Sequence, residues 1–280
     1  MSKRAAVIND LSSFGSCSLT AYIAVLSALG VQPCPLPTAV LSAQSEFPVF
    51  YRRDLTADMP LFLDAWQAEN ERFDAICTGY FSDSRQIDTA LRLINDFRTK
   101  NSLVIIDPVM GDEGSFYPAF DGEICEKMRS LAAKADILLP NLTELCFLSG
   151  ADYAAVISKS DPMPMIEDLA KPFAENGGVV VTGIHIDDSI CNLAICGNET
   201  RCIARKRIGE RFSGTGDLFS AVISGCVVNG KSLFDAAETA ADFVCSAIDE
   251  TVKKPHDPLY GVRFEQILNQ LTEVKHYASN

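Results

Sequence analysis

The chain has 280 residues, of which 48% are hydrophobic, with a formal net charge of −13 and a sequence pI near 4.7. A chain of this length can bury a large core, and we expect one α/β domain over residues 1–280. The acidic balance argues against a nucleic-acid partner and against an anionic membrane surface, because both select basic proteins.

The N-terminus and the cysteines predict a cytoplasmic protein. The first apolar run, residues 5–8, is too short for a signal peptide, and the sequence contains no stretch of about 20 apolar residues. The ten cysteines contain no C-x-x-C pair, and most of them, including Cys191, lie in apolar runs. We therefore expect reduced cysteines that pack as small hydrophobic side chains. Three histidines are too few to favour a zinc site.

Short β-rich runs alternate with helical patterns along the chain. The predicted strands are residues 5–8, 75–78, 103–106, 137–139 and 179–182. The predicted helices are residues 19–29, 59–72, 84–99, 125–133 and 165–176, and residues 189–196 and 201–207 predict an antiparallel hairpin. This alternation is typical of a three-layer, doubly wound, mostly parallel sheet with helices on both faces.

Small polar and acidic residues follow the predicted strands. Ligands of open α/β sheets bind beyond the carboxyl ends of the strands, so these residues are candidates for a site. In chain order they are Asn9, Asp10, Ser12, Tyr80, Asp107, Asp112, Asn141, Glu144 and Gly183. Carboxylate and amide oxygens are the ligands that hold Mg²⁺ with its water molecules. The pattern therefore favours a magnesium-nucleotide site at this edge of the sheet.

Several of these residues also have a purely structural interpretation. Asn141 could be a helix N-cap with Glu144 as its partner in the first turn. Asp107 precedes a proline and could be a turn residue. Asp10 could cap a loop, and Tyr80 could be part of the core.

A glycine loop precedes an apolar helical stretch near residue 214. The sequence G-T-G-D places Gly214, Thr215 and Gly216 before Asp217, and the apolar residues that follow share one helical face. A helix start offers free N–H groups and the positive end of the helix dipole, which attract phosphate. Asp217 is then either an acid that stabilises the dipole or a general base that faces a hydroxyl group.

A second phosphate-loop pattern is rejected. Residues 225–232 match the Walker A string, but that loop must follow a strand, and residues 217–228 have helical periodicity. Gly230 is expected at a helix end and Ser232 as the N-cap of the next helix.

Taken together, the motifs resemble those of the ribokinase-like superfamily and, within it, the vitamin B6 (pyridoxal, pyridoxamine and pyridoxine) kinases. They are D-L-S-S-F-G at 10–15, P-L-P-T-A-V-L-S at 35–42, T-G-Y at 78–80, D-P-V-M-G-D at 107–112, P-N-L-T-E at 140–144 and G-T-G-D at 214–217. The resemblance covers nearly the whole chain, and the first loop is similar to that of the pyridoxamine kinase subgroup.

The resemblance implies a role for each matching residue. Asp217 would take the proton of a primary alcohol that attacks the γ-phosphate of ATP, with Gly214, Thr215 and Gly216 as the anion hole. The nucleotide and Mg²⁺ would be held by Asp107, Asp112, Asn141, Glu144, Thr182 and Gly183, with Asp107 and Glu144 nearest the metal. The vitamer would be bound by Asp10, Ser12, Ser45 and Tyr80. A homodimer is implied, and a requirement for a monovalent cation such as K⁺ stays open.

Three departures from the B6 kinase pattern concern the acceptor. The sequence has Asn9-Asp10-Leu11 where Gln-Ser-His is common, Leu139 before the P-N motif, and residues 43–46 in place of a loop with Thr and His. We hypothesise that the Asp10 carboxylate pairs with a cation of the ligand. The alternatives are a hydroxymethylpyrimidine kinase of the same fold and a non-catalytic B6 binder. Residues 47–54 are either a lid over the site or a solvated loop.

Overall fold

Eleven strands are found in the part of the chain that the computed structural model describes, residues 2–117, 120, 122–209 and 211–274. They are β1 (Arg4–Ser12), β2 (Gln32–Leu41), β3 (Arg52–Asp54), β4 (Ala75–Thr78), β5 (Leu103–Ile106), β6 (Gly111–Asp112), β7 (Ser115–Phe116), β8 (Ile137–Leu138), β9 (Gly178–Ile186), β10 (Ser189–Cys196) and β11 (Glu199–Lys206).

The helices connect these strands and cover both faces of the sheet. They are α1 (Ser18–Ala28), α2 (Met59–Ala68), α3 (Ser84–Phe97), α4 (Gly122–Ala132), α5 (Leu142–Ser149), α6 (Tyr153–Ile157), α7 (Met163–Ala170), α8 (Thr215–Val228), α9 (Leu233–Val252) and α10 (Asn269–Val274). Among the described residues, no helix combines the length and the apolar character needed to cross a lipid bilayer.

The central sheet has the strand order β11-β10-β9-β8-β5-β4-β1-β2-β3. Strands β2, β1, β4, β5, β8 and β9 run parallel to their neighbours, whereas β3, β10 and β11 are antiparallel additions at the two edges. The predicted α/β class and the doubly wound, mostly parallel sheet are confirmed.

Two hydrophobic cores lie on opposite faces of the sheet. Alternate side chains of a strand point to opposite faces, and in β1 Ala5 and Val7 enter one core whereas Ala6 and Ile8 enter the other. Helices α1, α8 and α9 cover the first core, and α2 to α7 cover the second. Both cores leave the carboxyl ends of the parallel strands open for loops.

Strand β2 was not predicted, because proline occupies every second position at Pro33, Pro35 and Pro37. The backbone N–H of Gln32 donates to the Lys3 carbonyl of the β1 side, at 2.8 Å. The alternating prolines therefore face the open edge of the sheet, where a strand needs no donor. Further along, β2 pairs with β3, so residues 52–54 of the candidate lid form an edge strand.

A disulfide joins Cys191 of β10 to Cys202 of β11, so the expectation of a reduced Cys191 is wrong. The antiparallel register pairs Cys191 with Ala204 and Leu193 with Cys202, which makes the two cysteines diagonal neighbours on one face of the hairpin. Their Cα atoms are 6.2 Å apart, within the range that a disulfide requires. The pairing depends on the hairpin register, which the spacing of the cysteines does not reveal.

The rejection of the Walker A pattern is confirmed. Residues 225–228 belong to α8, and α9 begins after Ser232, whose Oγ accepts the backbone N–H of Asp235 at 3.1 Å. Helix α8 itself begins at Thr215, directly after Gly214, as the sequence predicts.

Candidate active site

The glycine loop at the start of α8 is held in a conformation that requires glycine. Gly214 is the N-cap of α8 and has a left-handed backbone with φ of 76°. A Cβ atom at this position would lie 2.7 Å from the Ser16 carbonyl oxygen and 2.8 Å from the Cys17 Cβ. The loop therefore packs directly on the turn that precedes α1, and the first N–H groups of α8 face the carboxyl edge of the sheet.

Asp217 lies half-buried in the first turn of α8. Its Oδ1 accepts a hydrogen bond from Asn9 Nδ2 at 3.0 Å, and its carboxylate also accepts the Ser18 backbone N–H. Burial raises the pKa of Asp217 to about 6, and the nearby Asp10 charge adds to the shift, while the two hydrogen bonds oppose it. A carboxyl group with this pKa is suited to accept a proton near neutral pH.

Asn9, which the sequence indicates only as a residue at a strand end, connects several parts of the site. Its Nδ2 donates to Asp217, and its Oδ1 accepts the backbone N–H groups of Asp10 at 3.0 Å and Tyr80 at 2.9 Å. Gly79 is required beside it, because a Cβ there would lie 2.3 Å from Asn9 Nδ2. The amide thus fixes the orientation of the Asp217 carboxylate.

Asp10, Ser12 and Tyr80 lie on the same side of the site as Asp217. The pairing of β1 with β2 shifts register between Asn9 and Leu11, which places Asp10 at a bulge. Ser12 Oγ donates to Asp10 Oδ2 at 2.6 Å, and burial raises the pKa of Asp10. Burial also raises the pKa of Tyr80, on which the charges of Arg52 and Asp10 act in opposite directions.

The fourth residue predicted to bind the vitamer, Ser45, is exposed in the loop between β2 and β3. Its neighbour Gln44 is buried, and Gln44 Nε2 donates to the Leu259 carbonyl at 3.3 Å. Gln44 thereby attaches this loop to the segment that follows α9. The role of Ser45 in ligand binding stays a prediction.

A group of buried carboxylates faces the glycine loop from the ends of β5 and β8. Ser220 of α8 donates to Asp107 Oδ2 at 2.6 Å. Glu144 accepts the backbone N–H groups of Met110 at 3.0 Å and Asn141 at 2.8 Å. Burial raises the pKa of Asp107 and of Glu144, and the charge of Asp107 raises that of Glu144 further.

The N-cap interpretation of Asn141 and Glu144 agrees with the structure. Asn141 Oδ1 accepts the backbone N–H of Glu144 at 2.9 Å, and the Glu144 side chain accepts that of Asn141, which makes a capping box at the start of α5. Asn141 Nδ2 also donates to the Gly111 carbonyl at 2.8 Å, so the β6–β7 turn is held beside α5. This turn carries Asp112, which forms an ion pair with Arg211 at 3.0 Å.

Thr182 and Gly183 lie next to this group at the end of the parallel part of β9. The Thr182 N–H donates to the Pro140 carbonyl at 2.8 Å, and the Gly183 N–H donates to Asn192 Oδ1 at 3.3 Å. Gly183 is exposed and has a φ of 69°. The structure therefore brings the two sets of predicted nucleotide residues to one edge of the sheet.

The carboxylates have the chemistry of a site for a hard cation. Asp107 and Glu144 are both buried, and the negative charge of each raises the energy of the other's ionised form. A bound divalent cation would reduce this repulsion. Within the described ranges, no three His, Cys, Asp or Glu side chains are placed to hold a metal ion on their own. Mg²⁺ would fit here with few protein ligands and a shell completed by water and phosphate oxygens.

Known proteins are similar to this chain in sequence and in fold. Residues 13–259 match the family model described as phosphomethylpyrimidine kinase. Hydroxymethylpyrimidine/phosphomethylpyrimidine kinase of Bacillus subtilis is 28% identical over 269 residues, which cover 94% of this chain and 96% of that protein.

Two solved structures are similar over nearly their whole lengths. A Bacteroides thetaiotaomicron protein assigned as a phosphomethylpyrimidine kinase, in a crystal form with pyridoxal, is 36% identical with a TM-score of 0.91 and covers 97% of this chain and 96% of its own. Pyridoxal kinase from Lactobacillus plantarum is 26% identical with a TM-score of 0.87 and covers 99% of both chains. The chain belongs to the phosphomethylpyrimidine kinase family, a kinase family of the ribokinase-like fold that the sequence motifs resemble.

Proposed function

We propose that this protein transfers the γ-phosphate of ATP to the 5'-hydroxymethyl group of a vitamin B6 vitamer. The observation that carries the proposal is the position of Asp217, a half-buried carboxylate with a pKa of about 6 in the first turn of a helix that begins at a glycine loop. Pyridoxal in a crystal form of the 36% identical Bacteroides relative supports a B6 vitamer as the acceptor. We treat residues 1–280 as one kinase domain and place the reaction in the cytoplasm, where ATP is available.

In the proposed mechanism, Asp217 accepts the hydroxyl proton while the vitamer oxygen attacks the γ-phosphorus. The new P–O bond forms as the bond to the β-phosphate oxygen breaks, and ADP leaves. Asn9 holds the Asp217 carboxylate in place, and the N–H groups of Gly214, Thr215 and Gly216 donate to the transferring phosphoryl oxygens. Positioning and charge neutralisation supply most of the catalysis in such reactions.

A bound Mg²⁺ would neutralise the phosphate charge that develops in the reaction. Asp107 and Glu144 are the residues we propose to hold it, with Asp112 and Asn141 beside them. Ser220 and the capping box keep Asp107 and Glu144 in fixed orientations. Thr182 and Gly183 would contact the nucleotide.

The test is ATP turnover with Mg²⁺ against pyridoxamine, pyridoxal, pyridoxine and hydroxymethylpyrimidine in parallel. We expect turnover of at least one B6 vitamer. The second candidate, a hydroxymethylpyrimidine kinase, is favoured by the Bacillus subtilis relative, and turnover of the pyrimidine alone would establish it. Nucleotide and vitamer binding without turnover would indicate a non-catalytic binder, a function that has no need of the base Asp217.

The pH dependence of kcat/KM should follow the ionisation of Asp217. Because the carboxylate must be ionised to accept a proton, kcat/KM should be constant well above pH 6 and should fall about tenfold per pH unit below the pKa of about 6. The measurement is a kcat/KM profile from pH 5 to 8 at saturating ATP. A profile that stays flat to pH 5 would contradict an Asp217 base with a raised pKa.

Asp10 should recognise a positively charged group of the acceptor. We expect its carboxylate to pair with either the 4'-ammonium of pyridoxamine or the pyridinium nitrogen, since it is buried and bonded by Ser12. Asp10→Asn should then lower kcat/KM by roughly 10- to 100-fold. A loss for pyridoxamine but not for pyridoxine identifies the ammonium, and equal losses identify the pyridinium. Unchanged kinetics with both vitamers would refute the pairing.

We further propose that the enzyme is a homodimer. Large apolar side chains are exposed just before the edge strand β3 and on helix α2, with Val49 87%, Tyr51 67% and Leu61 62% exposed, and such surfaces commonly mark protein interfaces. Sedimentation velocity should give twice the 30.4 kDa chain mass, and Leu61→Asp should shift the protein toward the monomer. A monomer at all concentrations of the unaltered protein would disprove the dimer.

A further inference from the structure

Arg211 connects three segments that surround the candidate active site. Its Nη2 lies 3.0 Å from Asp112 Oδ2 in β6 and 3.8 Å from Glu46 Oε1 in the loop between β2 and β3. Arg211 itself lies three residues before Gly214. The side chain therefore extends from the segment before the glycine loop to Asp112, on the carboxylate side of the site.

The charge of Arg211 acts on the carboxylate side of the site. The pKa of Tyr117 is raised by burial and by the charges of Glu144, Asp112 and Asp107, and the guanidinium of Arg211 opposes them. This positive charge is thus near the same acids that face the glycine loop. A polyphosphate bound between the two sides would need such a charge, because every neighbouring carboxylate repels it.

The contacts that Arg211 makes in the structure are of a kind that a ligand can replace. The side chains of Arg211, Asp112 and Glu46 are 55%, 35% and 51% exposed, and exposed ion pairs contribute little to stability. A phosphate group offers the guanidinium two hydrogen bonds in a planar, bidentate arrangement. Arg211 could therefore change partners without disturbing the fold.

We propose that Arg211 leaves Asp112 and Glu46 to bind the terminal phosphates of the nucleoside triphosphate. This inference rests on the proposed function, since it assigns a phosphate-binding residue to the same site. Glu46 and Asp112 hold the guanidinium above the site, ready for the ligand. Arg211 then supplies, from within the chain, a cation at the γ-phosphate during transfer.

The experiment is calorimetric binding of a non-hydrolysable ATP analogue and of AMP to the 280-residue protein. We expect Arg211→Met to weaken binding of the ATP analogue by about 10- to 100-fold and to leave AMP binding unchanged, because AMP lacks the terminal phosphates. Arg211→Lys should recover part of the affinity, as it keeps the charge but not the planar geometry. Arg72→Met is the matched control, because Arg72 is exposed just before β4, at the amino edge of the sheet.

Glu46→Gln separates phosphate binding from a purely structural ion pair. If Arg211 binds phosphate, removing its Glu46 partner should leave the affinity for the ATP analogue unchanged or increase it. If Glu46→Gln and Arg211→Met weaken binding equally, or if Arg211→Met leaves the affinity for the ATP analogue unchanged, the inference is wrong. Equal weakening of AMP binding would also overturn it. An unaltered protein that binds neither nucleotide would contradict the proposed function itself, and the inference with it.

Discussion

Replacing Asp217 with asparagine should lower the turnover of a B6 vitamer by on the order of 10² to 10⁴-fold. The side-chain oxygen of the asparagine can still accept the hydrogen bond that Asn9 Nδ2 donates to Asp217 at 3.0 Å. The geometry of the site is therefore preserved while the base is lost. Nucleotide binding should fall only modestly, because the glycine loop keeps its N–H groups. Steady-state kinetics with the preferred vitamer, together with the affinity for an ATP analogue, measure both effects.

The control for this substitution is Asp249→Asn. Asp249 is exposed on α9, with a side chain that is 63% accessible, and the same change of charge there should leave kcat and KM at their original values. Thermal unfolding should show that both variants are folded. An Asp217→Asn protein with full turnover would remove Asp217 from the mechanism and leave the glycine loop with a binding role alone.

The second large effect is expected from Gly214→Ala. The added Cβ would meet the Ser16 carbonyl oxygen at 2.7 Å, and the φ of 76° is strained for any residue with a side chain. Backbone atoms cannot move aside as a flexible side chain can, so the loop must shift away from the turn before α1. Loss of the aligned N–H groups should lower kcat by on the order of 10² to 10³-fold, and the strain should reduce the free energy of unfolding by about 1 to 3 kcal/mol. Kinetics and urea unfolding measure the two losses.

Gly216→Ala provides the comparison for the effect on stability. The space around Gly216 is open, with no atom within 4 Å of an added Cβ, and the residue lies in the first turn of α8. Alanine has the higher helix propensity, so this variant should unfold at the same urea concentration as the unaltered protein or at a higher one. If Gly214→Ala matched Gly216→Ala in stability and kept full activity, the left-handed conformation at residue 214 would not be needed to shape the anion hole.

Local patterns were sufficient to predict most of the sheet. Strands β4 and β5 have the predicted bounds, because buried parallel strands are short apolar runs between polar loops. Strand β1 was predicted to end at Ile8, but it continues to Ser12 because Asn9, Leu11 and Ser12 pair with β2 on either side of a bulge at Asp10. Strand β9 likewise extends to Ile186 through its pairing with β10. The β-strand propensity of a segment cannot show which distant segment of the chain pairs with it.

Sequence motifs indicated candidate site residues at strand ends and at the start of α8, but they did not indicate residues that act through another residue. The sequence indicated Asp217, but it did not show that Asn9 orients this carboxylate from 208 positions away. The sequence analysis likewise did not identify Ser220, whose hydroxyl donates to Asp107. The clue was its spacing of three from Asp217, which places both side chains on one face of α8.

The alternating prolines of β2 determine how two copies of this protein can meet. A strand from a neighbouring molecule can form hydrogen bonds with an open sheet edge, which can lead to aggregation. Along residues 33–37 the outward positions carry no N–H group, so an incoming strand would find acceptors without donors. Along residues 33–37, copies of the chain can therefore associate through side chains but not by extending the sheet across molecules. A protein with so many apolar strands is in this way protected from fibril-like stacking along the first half of its edge.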